Sequence, residues 1–129
     1  MNNYVVDAWA WIEYLIGSDY GSKVDEILEG EGNEIYTCAV TLAEIVSKVA
    51  REGKAVEVAY SLVISNSQII DADEELSRCA GELHAEMRRK QNDFGLADSY
   101  VLATAKKLKS KILTGDAHFK NLADVVLLR

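Results

Sequence analysis

Apolar residues follow two rhythms along this chain. Short runs such as Tyr4-Val5-Val6, Ile69-Ile70, Ile112-Leu113 and Val125–Leu128 have the length of buried strands, while the segments between them repeat apolar positions at helical spacing. The pattern predicts strands at Asn3–Val6, Glu34–Ala39, Gln68–Asp71, Lys111–Thr114 and Val125–Leu128. It predicts helices at Ala8–Gly17, Tyr20–Glu29, Leu42–Arg51, Lys54–Ile64 and Leu96–Lys109, with a short turn near His118–Asn121. A further helix starts after Asp73, a good N-cap, and carries Leu76, Ala80, Leu83 and Met87 on one face. Gly30-Glu31-Gly32 and Asn92–Gly95 read as turns. Alternating short apolar strands and helices define an α/β protein, a three-layer α/β/α domain whose central sheet is mainly parallel and covered on both faces. With no repeat, linker or low-complexity tract, the 129 residues make one domain.

Composition adds exclusions. At 49% apolar and 27% charged residues the chain is an ordinary globular one rather than a disordered one. No apolar run reaches the ~18 residues of a membrane span, and Met1–Val6 lacks a basic lead and an apolar core. A cytoplasmic protein is expected. Cys38 and Cys79 fit no metal-ligand spacing and read as buried, reduced thiols. The net charge of −7 argues against a simple nucleic-acid binder, although cations gather in Arg88-Arg89-Lys90 and at Lys106, Lys107, Lys109 and Lys111. A solvated helix end is the plainer reading of either cluster.

Four carboxylates stand out by position: Asp7 in YVVDAW, Glu44 in TLAEI, Asp98 in GLADSYVLATA and Asp116 in ILTGDAHF. Asp7 and Asp116 follow strands, which places them at the carboxyl edge of a parallel sheet, where sites form. Each also has a structural reading. Asp7 and Asp116 could cap the helices that follow, Asp98 could favour a helix N-terminus, and Thr41–Glu44 spells a capping box. If the four converge, their mutual repulsion calls for a divalent cation with oxygen ligands, the equipment of an enzyme acting on phosphates.

These phrases, in this order and spacing, resemble the PIN-domain family, and in particular its small single-domain members that serve as toxins of VapBC-type toxin–antitoxin pairs. The resemblance rests on VVDAW, TLAEI, ADSYVLATA and TGDAHF and spans nearly the whole chain. It implies a five-stranded PIN-like sheet, a homodimer, a small antitoxin partner, and Mg²⁺- or Mn²⁺-dependent hydrolysis of RNA. Asp7, Glu44, Asp98 and Asp116 fall on the family's acidic metal-site positions, and Thr114 on a supporting polar one. Asp7, Asp98 and Asp116 would ligate a first ion, with Glu44 holding a second or orienting the attacking water. Lys48 and Arg51, beyond Glu44 on its helix, would meet RNA phosphates. The chain departs from the pattern at Trp9, where many relatives carry a hydroxyl that supports the first aspartate. Trp9, Trp11 and Tyr14 read as interface or core aromatics ahead of base-stacking ones, and His84 and His118 as surface residues. The rival reading is a PIN-fold RNA- or protein-binding module with a weak or unused metal site.

Overall fold

The computed structural model describes residues 2–129. Five strands, β1 (Asn3–Val6), β2 (Glu34–Cys38), β3 (Gln68–Ile70), β4 (Lys111–Thr114) and β5 (Val125–Leu127), form one sheet in the order β3-β2-β1-β4-β5. Every pairing is parallel, so the sheet is wholly and not just mainly so. Six helices surround it: α1 (Ala8–Ile16), α2 (Asp19–Glu29), α3 (Ala39–Arg51), α4 (Val56–Asn66), α5 (Glu74–Arg88) and α6 (Leu96–Leu108). A 3₁₀ turn at Ala117–Phe119 joins β4 to β5.

Strand alternation sorts the core into two layers. Tyr4 and Val6 join Trp11, Val24, Ile45, Val49 and Val63 on the face covered by α1–α4. Val5 points the other way, into Leu76, Ala80, Leu83, Phe94 and Val101 under α5 and α6. Trp11 is fully buried, and its indole N–H donates to the Thr37 hydroxyl at 3.0 Å, satisfying the ring's one polar atom. α6 is buried along most of its length through Val101, Leu102, Ala103 and Ala105, small or branched residues that let it lie close to the sheet. Both cysteines are free, Cys38 buried and Cys79 partly so.

Helix α2 approaches α1 through Gly21. A Cβ there would overlap the Glu13 carbonyl oxygen and come within 2.8 Å of its carbon. The turn between the two helices is held by Gly17, left-handed at φ 72°, and by Ser18, whose hydroxyl accepts the Gly21 N–H at 3.1 Å.

One expectation fails at α3. The helix begins at Ala39, directly after β2, so Thr41 lies inside it and does not cap it, and Glu44 falls in its second turn. The sequence resembled a capping box because Thr and Glu have the right spacing. The strand, however, enters the helix without a loop, through the extended backbone of Cys38 at ψ 142°. The carboxylate that does reach back to a helix start is Asp98, which accepts the Gly95 N–H at 3.2 Å. Gly95 has no side chain to return the bond, so only half of a capping box exists there. Asp73 caps α5 as expected, accepting the Leu76 N–H at 2.9 Å.

Candidate metal centre

The chain leaves β1 toward β2 on one side, while β4 pairs with β1 on the other. That reversal of strand order opens a crevice at the carboxyl ends of β1 and β4. Asp7 follows β1 and Asp116 follows β4 by two residues, which brings both into it. Asp98 arrives in the first turn of α6 and Glu44 from α3. The four acids line one cleft of about 380 Å³, together with Ala8, Trp9, Ile12, Glu13 and Lys48. Residues 109 positions apart in sequence thus share one surface.

Asp7 does not cap α1 with its side chain. It is 4% exposed, and the Thr114 hydroxyl donates to its Oδ2 at 2.7 Å across the β1–β4 pair. Thr114 therefore supplies the support that Trp9 cannot, and its Oγ1 also accepts the Asp116 N–H at 3.0 Å. Burial pushes the Asp7 carboxyl up to about 6; the Thr114 hydroxyl opposes this and the charges of Asp98 and Asp116 add to it. Glu44 is raised to about 7, by desolvation first and then by Asp7, Asp98 and Asp116. The residue is nevertheless exposed at the surface, so water screens it and a cation arriving from solvent meets it without rearrangement. Asp98 is raised too, through burial and the neighbouring Asp116, against the pull of the Gly95 N–H and of His118.

Trp9 forms a wall of the cleft. Its ring packs edge-on against Tyr20 at 5.4 Å, carries the Arg129 guanidinium at 5.4 Å, and lies so close to Gly115 that a Cβ there would overlap it. Arg129 Nε donates to the Gly115 carbonyl at 2.8 Å and closes this clamp. The departure at residue 9 is thus built into the protein as packing beside the acids.

Lys48 lines the cleft and pairs with Glu52 at 3.3 Å. Arg51 lies outside the cleft lining, exposed, with Nε donating to Ser47 Oγ at 3.3 Å. His118 is not the surface residue its sequence context suggested. Its Nδ1 lies 3.3 Å from Asp98 Oδ2 and 3.2 Å from Asp116 Oδ1, and its Nε2 lies 3.2 Å from Asp93 Oδ2. The only signal for this was its position two residues after Asp116 in TGDAHF. Asp93 carried no signal, since it comes from the Asn92–Gly95 loop. The imidazole is held protonated to higher pH chiefly by Asp93, against a burial penalty and with help from Asp116 and Asp98.

The donor set suits a divalent ion. Asp98, Asp116 and His118 each offer a ligand atom within 4.8 Å of the others. His118 Nδ1 is shut from water without a hydrogen-bond partner, and Asp7 is a buried carboxylate with other acids for neighbours. Such groups are stabilised by a cation and costly without one.

Comparison with known proteins agrees with the fold. The PIN domain profile matches residues 4–125, and the chain belongs to the PIN-domain family. Its fold is similar to a toxin–antitoxin complex chain from Klebsiella pneumoniae, with a TM-score of 0.76 at 19% identity over 98% of both chains. It is also similar to VapBC2 from Rickettsia felis, solved with a promoter DNA fragment, with a TM-score of 0.73 at 20% identity over 97% of this chain and 96% of that one. A third likeness is to VapC20 from Mycobacterium tuberculosis, a toxin that cleaves the sarcin–ricin loop, with a TM-score of 0.76 at 15% identity over 95% and 96% of the two chains. No curated protein sequence matches. No helix among the described residues is long and apolar enough to cross a membrane.

Proposed function

We propose that this chain is a divalent-metal-dependent endoribonuclease and the toxin of a toxin–antitoxin pair, working in the cytoplasm with Mg²⁺ or Mn²⁺. The observation that carries the reading is the cleft in which Asp7, Glu44, Asp98 and Asp116 meet at the β1/β4 switch point, with Asp7 buried. A binding-only module has no use for a buried acid whose ionisation is resisted. The toxin assignment draws support from the toxin–antitoxin chains that share the fold.

A divalent ion held there would neutralise charge developing on the phosphodiester and acidify a bound water. The chain's own residues do the rest. Asp7, Asp98 and Asp116 would hold the ion, and Thr114 fixes the Asp7 carboxylate by its 2.7 Å hydrogen bond. Glu44, facing solvent at the cleft beside the other three acids, would hold a second ion or orient the attacking water. Lys48 at the cleft rim meets a non-bridging phosphate oxygen, exchanging its surface pair with Glu52. Such a contact positions RNA without reading its sequence, and Arg51 would help only further along the strand. A second copy of the chain or the antitoxin would cover the apolar groove of about 370 Å³ lined by Ile12, Leu15, Ile16, Val58 and Leu62.

The test is cleavage of single-stranded RNA with Mn²⁺ or Mg²⁺. Wild type should cut, chelation should stop it, and Asp98→Asn should fall by about a hundredfold or more with its circular dichroism unchanged. Equal cleavage by the variant and by a chelated control would identify a contaminating nuclease and remove the assignment.

The same site predicts a pH dependence. Asp7 and Glu44 are raised to about 6 and about 7, so protons increasingly occupy both as pH falls below 7, and a cation must displace them. Mn²⁺ affinity measured by calorimetry is expected to be at least about tenfold tighter at pH 8 than at pH 5.5, with proton release on binding. A flat profile would mean the acids do not bind the ion.

A further inference from the structure

The imidazole of His118 faces into the acid cluster in a manner the phosphodiesterase reading above leaves unexplained. Resting on that reading, we propose that His118 Nδ1 is a ligand of the same ion, so that the centre is a mixed nitrogen–oxygen site selective for Mn²⁺ and later first-row ions over Mg²⁺.

The local chain is built to hold the ring there. Asp116 Oδ1 accepts the His118 N–H at 2.9 Å, which folds the 3₁₀ turn back over the aspartate. Gln91 Nε2 donates to the His118 carbonyl at 3.0 Å, and Phe94 packs edge-on against the imidazole at 6.0 Å. Backbone and ring plane are both fixed before any ligand arrives.

The contacts of the two ring nitrogens then differ. Nδ1 lies 3.2 Å from Asp116 Oδ1 and 3.3 Å from Asp98 Oδ2, yet has no hydrogen-bond partner and is closed to water. Two carboxylate oxygens are close to it without the angles of a donor and an acceptor. Atoms around a shared ion stand in that relation. With bonds of about 2.1 Å, neighbouring ligands lie about 3.0 Å apart in octahedral geometry and about 3.4 Å apart in tetrahedral geometry. The observed separations fall between the two.

Nε2 lies 3.2 Å from Asp93 Oδ2. A carboxylate at the outer nitrogen takes its N–H, fixes the tautomer and leaves the lone pair on the inner nitrogen, the arrangement that accompanies metal-bound histidines. Asp93 is exposed and outside the acidic cleft lining, so its place against the ring gives it a role that cleft geometry alone does not. The imidazole, deprotonated at Nδ1 when it takes the ion, adds a ligand without adding a fifth negative charge. Mg²⁺ prefers oxygen donors, whereas imidazole suits first-row transition metals, and selectivity follows.

The test uses the intact protein with Mn²⁺ and Mg²⁺ as probes. Electron spin-echo envelope modulation of the Mn²⁺-loaded wild type should show a directly bound ¹⁴N, and His118→Gln should abolish it. The Mn²⁺/Mg²⁺ affinity ratio by calorimetry should fall at least about tenfold in His118→Gln, mainly through Mn²⁺, while Asp93→Asn should weaken Mn²⁺ by about tenfold and keep the nitrogen signal. Metal-free melting temperature checks that both variants fold. Mn²⁺ binding without a nitrogen signal, or an unchanged affinity ratio in His118→Gln, overturns the ligand assignment and leaves the phosphodiesterase reading standing. Absence of Mn²⁺ binding to wild type overturns both.

Discussion

Replacing Asp7 with asparagine is expected to make the metal-free protein more stable at pH 8 while abolishing its response to metal. The folded carboxyl is raised from 3.8 to about 6, so between these values the native state holds more protons than the unfolded one. The stability this provides is complete below pH 4 and lost as pH rises through 6. At pH 8 the ionised, buried Asp7 therefore costs the metal-free fold up to about 3 kcal/mol. Asparagine has the same shape, and its amide oxygen can still accept the Thr114 hydroxyl, but it carries no charge. The variant should melt about 5–10 °C above wild type at pH 8 without metal, and the two curves should converge as pH falls below about 4. Mn²⁺ should raise the wild-type melting temperature, since a ligand of the native state stabilises it, and leave Asp7→Asn nearly unmoved. Cleavage should fall on the order of a thousandfold, because losing a buried ligand removes several kcal/mol of charge stabilisation. Metal-free Asp7→Asn melting below wild type at pH 8 would show that Asp7 is held for its fold and not for an ion.

The second large effect concerns the scaffold. Gly21→Ala places a methyl against the Glu13 carbonyl oxygen, and the obstacle is backbone that cannot rotate away. The α1–α2 contact must open, at a cost of about 3 kcal/mol or more, and thermal melting should drop by about 10 °C. Gly81→Ala is the control with the opposite sign. It lies in α5 with nothing within 4 Å of the added Cβ, and removing a helical glycine should stabilise by about 0.5–1 kcal/mol. If both substitutions shift stability alike, close packing is not what selects glycine at position 21.

Much of this molecule could be read from its residues. The five strands and six helices follow the apolar periodicity, with Asn3–Val6 and Lys111–Thr114 found as expected. The α3 start was misjudged because local spacing at Thr41 and Glu44 imitates a cap, and only the continuity of β2 into α3 overrides it. At the site, the convergence of Asp7, Glu44, Asp98 and Asp116 was legible because two strand ends and the early turns of α3 and α6 collect at one sheet edge. Thr114 was legible beside Asp116. Strand pairing then gives its bond to Asp7 a length that no sequence pattern encodes. His118 and Asp93 were not legible, since their approach depends on a three-residue turn meeting a loop from elsewhere. Trp9 looked like a defect in the site and is a packed wall, because Gly115 leaves room for its ring.

The pairing of β1 with β4 also sets the order in which the acid cluster can be assembled during synthesis. Asp7 leaves the ribosome 107 residues ahead of its Thr114 partner, on the strand that leads to Asp116. A nascent chain ending before Lys111 already carries Asp7, Glu44 and Asp98 but has neither the strand that orders Asp7 nor the fourth acid. A contact spanning 107 residues is thus the one that completes the centre. A chain of this design assembles its acid cluster only on closing the sheet.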